Sequence, residues 1–167
     1  ANSFPGGKIN SRTINGYRFD QGPSLLTCPE YIEDLYHLCG KDFSTFEMAK
    51  LDLSFKYFFN DGTEMALGSD RSKVVAEIAE KLGENAKVVK KYLAKAEKNY
   101  HLISPLFIEK SLHRWKGLLG KQLVKALIHL PSYKLFSTMN SENKRVFKND
   151  RTVQVFNRFS VYNGSSP

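Results

Sequence analysis

Apolar residues follow two spacings along this chain, and each spacing predicts a different kind of element. Near the start, two short extended runs, Ile9 to Thr13 and Tyr17 to Phe19, flank Ile14-Asn15-Gly16. Asn-Gly between such runs predicts a tight hairpin, because both residues tolerate positive φ. Residues 47–67 repeat the theme. Leu51, Leu53 and Phe55 alternate with Asp52, Ser54 and Lys56, and Tyr57-Phe58-Phe59 follows. Asn60-Asp61-Gly62-Thr63 then turns the chain into Glu64-Met65-Ala66-Leu67. This alternation predicts strands with one buried face, joined by a second hairpin at Asp-Gly.

Elsewhere the spacing is helical. Ile32, Leu35, Tyr36 and Leu38-Cys39 mark a first helix, with Thr27 as its cap, Pro29 in its first turn and Gly40 as its stop. Val74, Val75, Ile78, Ala79 and Leu82 mark a second, capped by Ser69 or Asp70 and ended by Gly83. A longer helix runs from about Asn85 to Ile108. Its stripe is Val88, Val89, Tyr92, Leu93, Ala96 and Tyr100, with Lys87, Lys90, Lys91, Lys95 and Lys98 mainly on other faces. Pro105 predicts a break or kink near Ile103 or Ser104. From Ser111 onward the chain reads as helices joined by short breaks. Trp115, Leu118, Leu119, Leu123, Val124, Leu127, Ile128 and Leu130 are expected to pack inward for most of their length, with Lys116, Lys121 and Lys125 outward. Val146-Phe147 and Val153-Phe156-Phe159 anchor two late helices, the last capped by Asp150. The fold class is therefore α+β, a small antiparallel sheet with hairpins plus a helical region. Residues 1–68 form the hairpin, short-helix and small-sheet part, and residues 69–167 the mainly helical part.

The 167 residues suffice for a real core, and 41% apolar with 25% charged residues reads as globular. Charge changes the picture more. Residues 110–151 hold ten Lys and Arg against only Glu142 and Asp150, which accounts for the whole net charge of +8. Such a patch suits solvent or an anionic membrane surface. No zinc finger, helix-turn-helix or RNP signature accompanies it, which argues against nucleic acid. No run of about 18 apolar residues offers a membrane-spanning helix. Cys28 and Cys39 form no close pair, and the expected location is cytoplasmic, with peripheral contact at the membrane.

His37, His101, His113 and His129 fall in no ligand spacing, so no metal site is expected. No Gly-x-Ser-x-Gly elbow or paired-carboxylate arrangement appears. The densest signal is Pro5 to Pro23, PGGKINSRTINGYRFDQGP. Its glycines, Gly6, Gly7 and Gly22, serve either ordinary turns or close approach of backbone to a ligand.

GGKINSRTINGYRFDQGPSLLTCPE resembles an early part of the phytoene desaturase family of FAD-dependent oxidoreductases, within the flavin amine-oxidase-like superfamily. Gly6-Gly7-Lys8 and Phe19-Asp20-Gln21-Gly22-Pro23 carry the likeness. At the far end, Asn157 to Pro167 resembles the family's Arg-Tyr-x-x-Tyr-x-Gly-Ser-x-Pro segment. The family's Gly-x-Gly-x-x-Gly turn does not occur here, and Gly117 to Gly120 lacks its spacing. The resemblance implies an internal, substrate-capping portion of a two-domain enzyme that oxidises C–C bonds of a long apolar polyene, hydride passing to FAD. It implies Gly6, Gly7, Lys8, Gly22 and Pro23 near the cofactor, and Arg158, Tyr162 and Gly164 near the substrate. Arg158 is the polar candidate for steering charge beside the polyene, against a plain salt bridge. It names no catalytic base. The opposing reading is a non-catalytic basic module that binds anionic lipid or a protein partner.

Overall fold

Both Asn-Gly and Asp-Gly turn the chain as their φ tolerance requires. The computed structural model describes residues 7–23, 25–108 and 120–167. Strands β1 (Ser11–Ile14) and β2 (Tyr17–Asp20) pair antiparallel, Ile14 opposite Tyr17, around Asn15 (φ 50°) and Gly16 (φ 84°). Strands β3 (Leu53–Phe58) and β4 (Glu64–Gly68) pair around Gly62 (φ 83°), where the Asp61 carboxylate accepts from the Thr63 amide. The fold is α+β, with these two two-stranded antiparallel sheets and six helices among the described residues.

The second hairpin begins later than alternation suggests. A bulge between Leu53 and Phe55 resets the register, so residues 47–52 lie outside the ladder and Leu51 and Leu53 stay exposed. Below the bulge, Phe55, Tyr57, Met65 and Leu67 face inward.

Helix α1 (Glu30–Leu38) has Pro29 at its N-cap and no side-chain cap; Thr27 does not serve. Cys28 sits at φ 54°, and the bend there takes Thr27 out of capping position. The Lys41 amide closes the helix on the Tyr36 carbonyl, with Gly40 left-handed. In α2 (Arg71–Leu82), Asp70 accepts from the Ser72 and Lys73 amides, and Gly83 ends the helix at φ 68°. Asn85 caps α3 (Ala86–Phe107). That helix continues through Pro105 because the proline stands in its last turn, where one lost backbone bond matters little.

After α3, the described chain resumes with α4 (Lys121–Ile128), a 3-10 turn (Leu130–Tyr133), α5 (Met139–Val146) and α6 (Asp150–Asn157). Asn149, not Asp150, caps α6, since its side chain reaches the Arg151 amide; Asp150 supplies first-turn charge. The expected apolar positions Trp115, Leu118 and Leu119 lie outside the described residues. In α4 the inward packing is only partial. Leu123 is half-buried, while Val124, Leu127 and Ile128 are exposed; α4 packs mainly on α3, with the Leu130–Tyr133 turn at its end.

The chain divides into two units, residues 1–49 and 50–167. Among described residues of the first unit, none is buried. Its local order comes from Tyr36, Phe43 and Phe46, whose rings meet at 5.6–5.9 Å, and from Asp42 capping a 3-10 turn at Phe43–Thr45. The second unit has a core of Met65, Leu67, Ile78, Leu82, Val89, Phe147, Val153, Val155 and Phe156. The Glu84 carboxylate accepts from the Asn149 amide at 2.7 Å, and the Asn149 side chain donates to the Leu82 carbonyl. Together they tie the α2–α3 junction to the start of α6.

Within this unit Asn143 is 1% exposed, and both the oxygen and the nitrogen of its side chain are bonded. Its oxygen accepts from the Tyr92 hydroxyl at 2.7 Å, and its amide donates to Asn157, which donates to Asn140. Tyr92 packs against both Phe147 and Phe156, 4.9 and 4.7 Å away. Burial pushes the Tyr92 hydroxyl pKa up, with the Asn143 bond opposing. Tyr92→Phe leaves the buried Asn143 oxygen without its donor, and a loss of about 1–2 kcal/mol is expected in urea denaturation. A change below about 0.3 kcal/mol would contradict the network's role.

Candidate functional site

Strand residues two apart share a face, so β3 and the residue beyond it set Phe55, Tyr57 and Phe59 in a row. Neighbouring centroids stand 6.5 Å apart, Tyr57 and Phe59 nearly parallel. Arg151 and Arg158 are seven residues apart, about two helical turns, so α6 and the 3-10 turn that follows (Arg158–Asn163) present both to one side. Arg158 lies 4.2 Å above the Phe55 ring, 5.9 Å from Tyr57 and 5.8 Å from Tyr162. Arg151 lies 5.1 Å over Phe59. Phe159 meets Phe55 edge-on at 6.1 Å and stacks on Tyr162 at 6.2 Å.

The two arginines differ in their partners. Arg151 pairs with Asp61 at 2.7 Å and donates to Thr63. Those bonds, Arg151 first and then Thr63, lower the Asp61 pKa to about 2. Arg158 makes no ion pair among the described residues; aromatic faces hold it instead. The salt bridge considered for it from sequence is not among the ion pairs of the described residues. Tyr162 belongs to the same cluster. Gly164 has a structural duty at φ 69°, ending the 3-10 turn with its amide on the Val161 carbonyl. The Tyr57 hydroxyl is buried without a partner among the described residues.

The remaining sequence candidates lie in the first unit. Gly6 falls outside the described residues. Gly7 (φ 55°) has open space where a Cβ would stand. A Cβ on Gly22 would meet the Lys8 carbonyl oxygen at 1.8 Å, so Gly22 is required by its own chain. Gln21 and Asn10 lock this crossing through a 2.8 Å backbone bond and a side-chain bond. Pro23 borders a cavity of about 260 Å3 with Ile9, Asn10, Ser11, Arg18 and Asp20.

A second concavity, about 660 Å3, lies between α3, the Leu130–Tyr133 turn and α5. Its floor includes Val88, Tyr92, Ala96, Met139 and Val146. No described helix is long and apolar enough to cross a membrane, and no cluster of metal-ligating groups occurs among the described residues.

No family model matches the chain. It is 37% identical over 166 residues to a 1-hydroxycarotenoid 3,4-desaturase from a Flavobacterium species, covering 99% of this chain and 34% of that protein. Homology links this chain to the phytoene and carotenoid desaturases, a family of FAD-dependent oxidoreductases. A 4,4'-diapolycopene oxygenase from a Methylomonas species is 30% identical, over 99% of this chain and 33% of that protein. The phytoene desaturase of Phycomyces blakesleeanus is 28% identical, over 99% of this chain and 28% of its own length. The chain spans about a third of the length of these curated desaturase-family relatives.

The family's flavin finds no fit among the described residues alone. Lys8 itself fills the space beside Gly22. The cavity at Pro23 is smaller than the roughly 300–1,000 Å3 of small-molecule pockets. No dinucleotide-binding glycine turn is present in the sequence.

Asp61 gives the aromatic–arginine face a pH signature. Its folded pKa lies below its ordinary 3.8, so the Arg151 clasp contributes fully above about pH 4 and is lost as pH falls through about 2. Asp61→Asn is expected to lower Tm at neutral pH, with the gap from wild type closing toward pH 2. A gap unchanged across that range would contradict the clasp.

Proposed function

We propose that this chain is the substrate-side portion of a FAD-dependent oxidoreductase that desaturates or otherwise oxidises C–C bonds of a long apolar polyene. The observation that carries the reading is the match to a 1-hydroxycarotenoid 3,4-desaturase across 99% of the chain. The family's flavin is held elsewhere in the parent enzyme. What this chain contributes is apolar surface, exclusion of water and a fixed positive charge.

Residues 69–167 act as the cap, and residues 1–68 as the part nearer the flavin, through Gly6, Gly7, Lys8, Gly22 and Pro23. The aromatic row at residues 55–59 meets the cap through Arg151 and Arg158, which supports a polyene-facing surface where the two parts join. Flat π-faces suit a conjugated chain, and the Arg158 guanidinium beside them offers charge to a polarisable polyene. Tyr162 completes that edge, while Gly164 shapes it by ending the turn.

The experiment is a segment exchange. This chain replaces the matching third of the Flavobacterium desaturase, and the chimera is expressed in cells that accumulate polyene. Retained flavin absorbance with a polyene lengthened in conjugation is the expected outcome. A chimera that folds and holds flavin yet leaves every supplied polyene unchanged would contradict the reading.

A further inference from the structure

We propose that the groove between α3, the Leu130–Tyr133 turn and α5 binds a single-chain amphiphile with a carboxylate head. This site is independent of the polyene reading, because its lining shares no residue with the aromatic–arginine face.

Three observations converge. The groove, about 660 Å3, falls within the size of ligand pockets and has an apolar floor. Lys91, Lys95 and Lys134 stand on its rim, and Lys91 and Lys95 make no ion pair among the described residues. Tyr133 is also in the lining, and its hydroxyl is buried with no hydrogen-bond partner among the described residues. A buried donor without an acceptor is costly, and a small shift of the Tyr133 ring toward a bound carboxylate would satisfy it.

Lys134 adds a fourth. Its backbone is left-handed, φ 53°, which a lysine seldom adopts. That conformation closes the 3-10 turn and keeps the residue in the rim.

The one negative group in the lining is Glu142. It is already engaged by the Ser137 hydroxyl and Arg145, and its carboxyl is held below the usual range by Ser137 first. Lys134 also helps hold it charged, so the rim offers two free cations and one shared. The resulting site pairs an apolar trough with excess positive charge and an unused O–H donor. A fatty-acid-like anion matches all three.

The test is a calorimetric titration of the chain with dodecanoate below its micelle concentration, with dodecanol as the neutral control. Saturable one-to-one binding of dodecanoate is expected, weakened by added salt. The K91Q/K95Q double variant should lose about tenfold or more in affinity, and Tyr133→Phe several-fold. Dodecanol should bind wild type and double variant alike. Because Lys91 and Lys95 are exposed, circular dichroism of the double variant should match wild type. Equal binding of dodecanol and dodecanoate to wild type, or affinity indifferent to the lysine changes, would reduce the groove to sticky apolar surface and overturn the proposal. Absence of dodecanoate binding would also overturn it.

Discussion

A buried amide must find partners or cost the fold more than the bonds it could make elsewhere. Asn143 lies in that position, and it takes its partners from Tyr92 on α3 and Asn157 at the end of α6. Apolar packing alone would tolerate sliding among these helices. The amide does not, because every bond has a direction and a length. Tyr92 then carries the constraint into the aromatic stack, where Phe147 and Phe156 lie parallel at 4.9 Å. The register of α3, α5 and α6 follows from this one residue and its neighbours.

The position of the aromatic–arginine face depends on that register. Arg151 and Arg158 belong to α6 and the turn after it, so fixing Asn157 fixes where both guanidinium groups meet β3. Arg151 is further bound by Asp61 at the hairpin tip, which leaves it a structural clasp. Arg158 has only ring faces around it among the described residues, and its charge is uncommitted. The groove shares the same scaffold, since Tyr92 and Asn143 lie in its wall.

Local chemistry was legible in the sequence wherever one residue type has one cheap solution. Asn15-Gly16 and Asp61-Gly62 marked the hairpins, Asp70 and Asn85 the helix starts, and Gly40 and Gly83 the ends. Choices between adjacent residues were less legible. Asn149 caps α6 although Asp150 has equal propensity, because Glu84 and the Leu82 carbonyl hold Asn149 in place from another element. The bulge at Leu53 is a matter of pairing, invisible to alternation. Phe55, Tyr57 and Phe59 could be assigned to one face by spacing of two, yet nothing local said that Arg151 and Arg158 would cover them. The Asn143 network was missed for the same reason. An asparagine within a polar helical stretch reads as surface until the partner helices are placed. Gly22 was open in the sequence to a turn role or a ligand role, and its contact with the Lys8 carbonyl gives a reason for the glycine that lies within the chain itself.

The proposed division of labour between substrate side and flavin side is tested most directly by titrating FAD with this chain alone and following flavin fluorescence. The account predicts no saturable quenching, because the first unit is locked on itself at Gly22 and its cavity of about 260 Å3 is too small for a dinucleotide. Tight, stoichiometric FAD binding to these residues would contradict it and place the cofactor site within this chain.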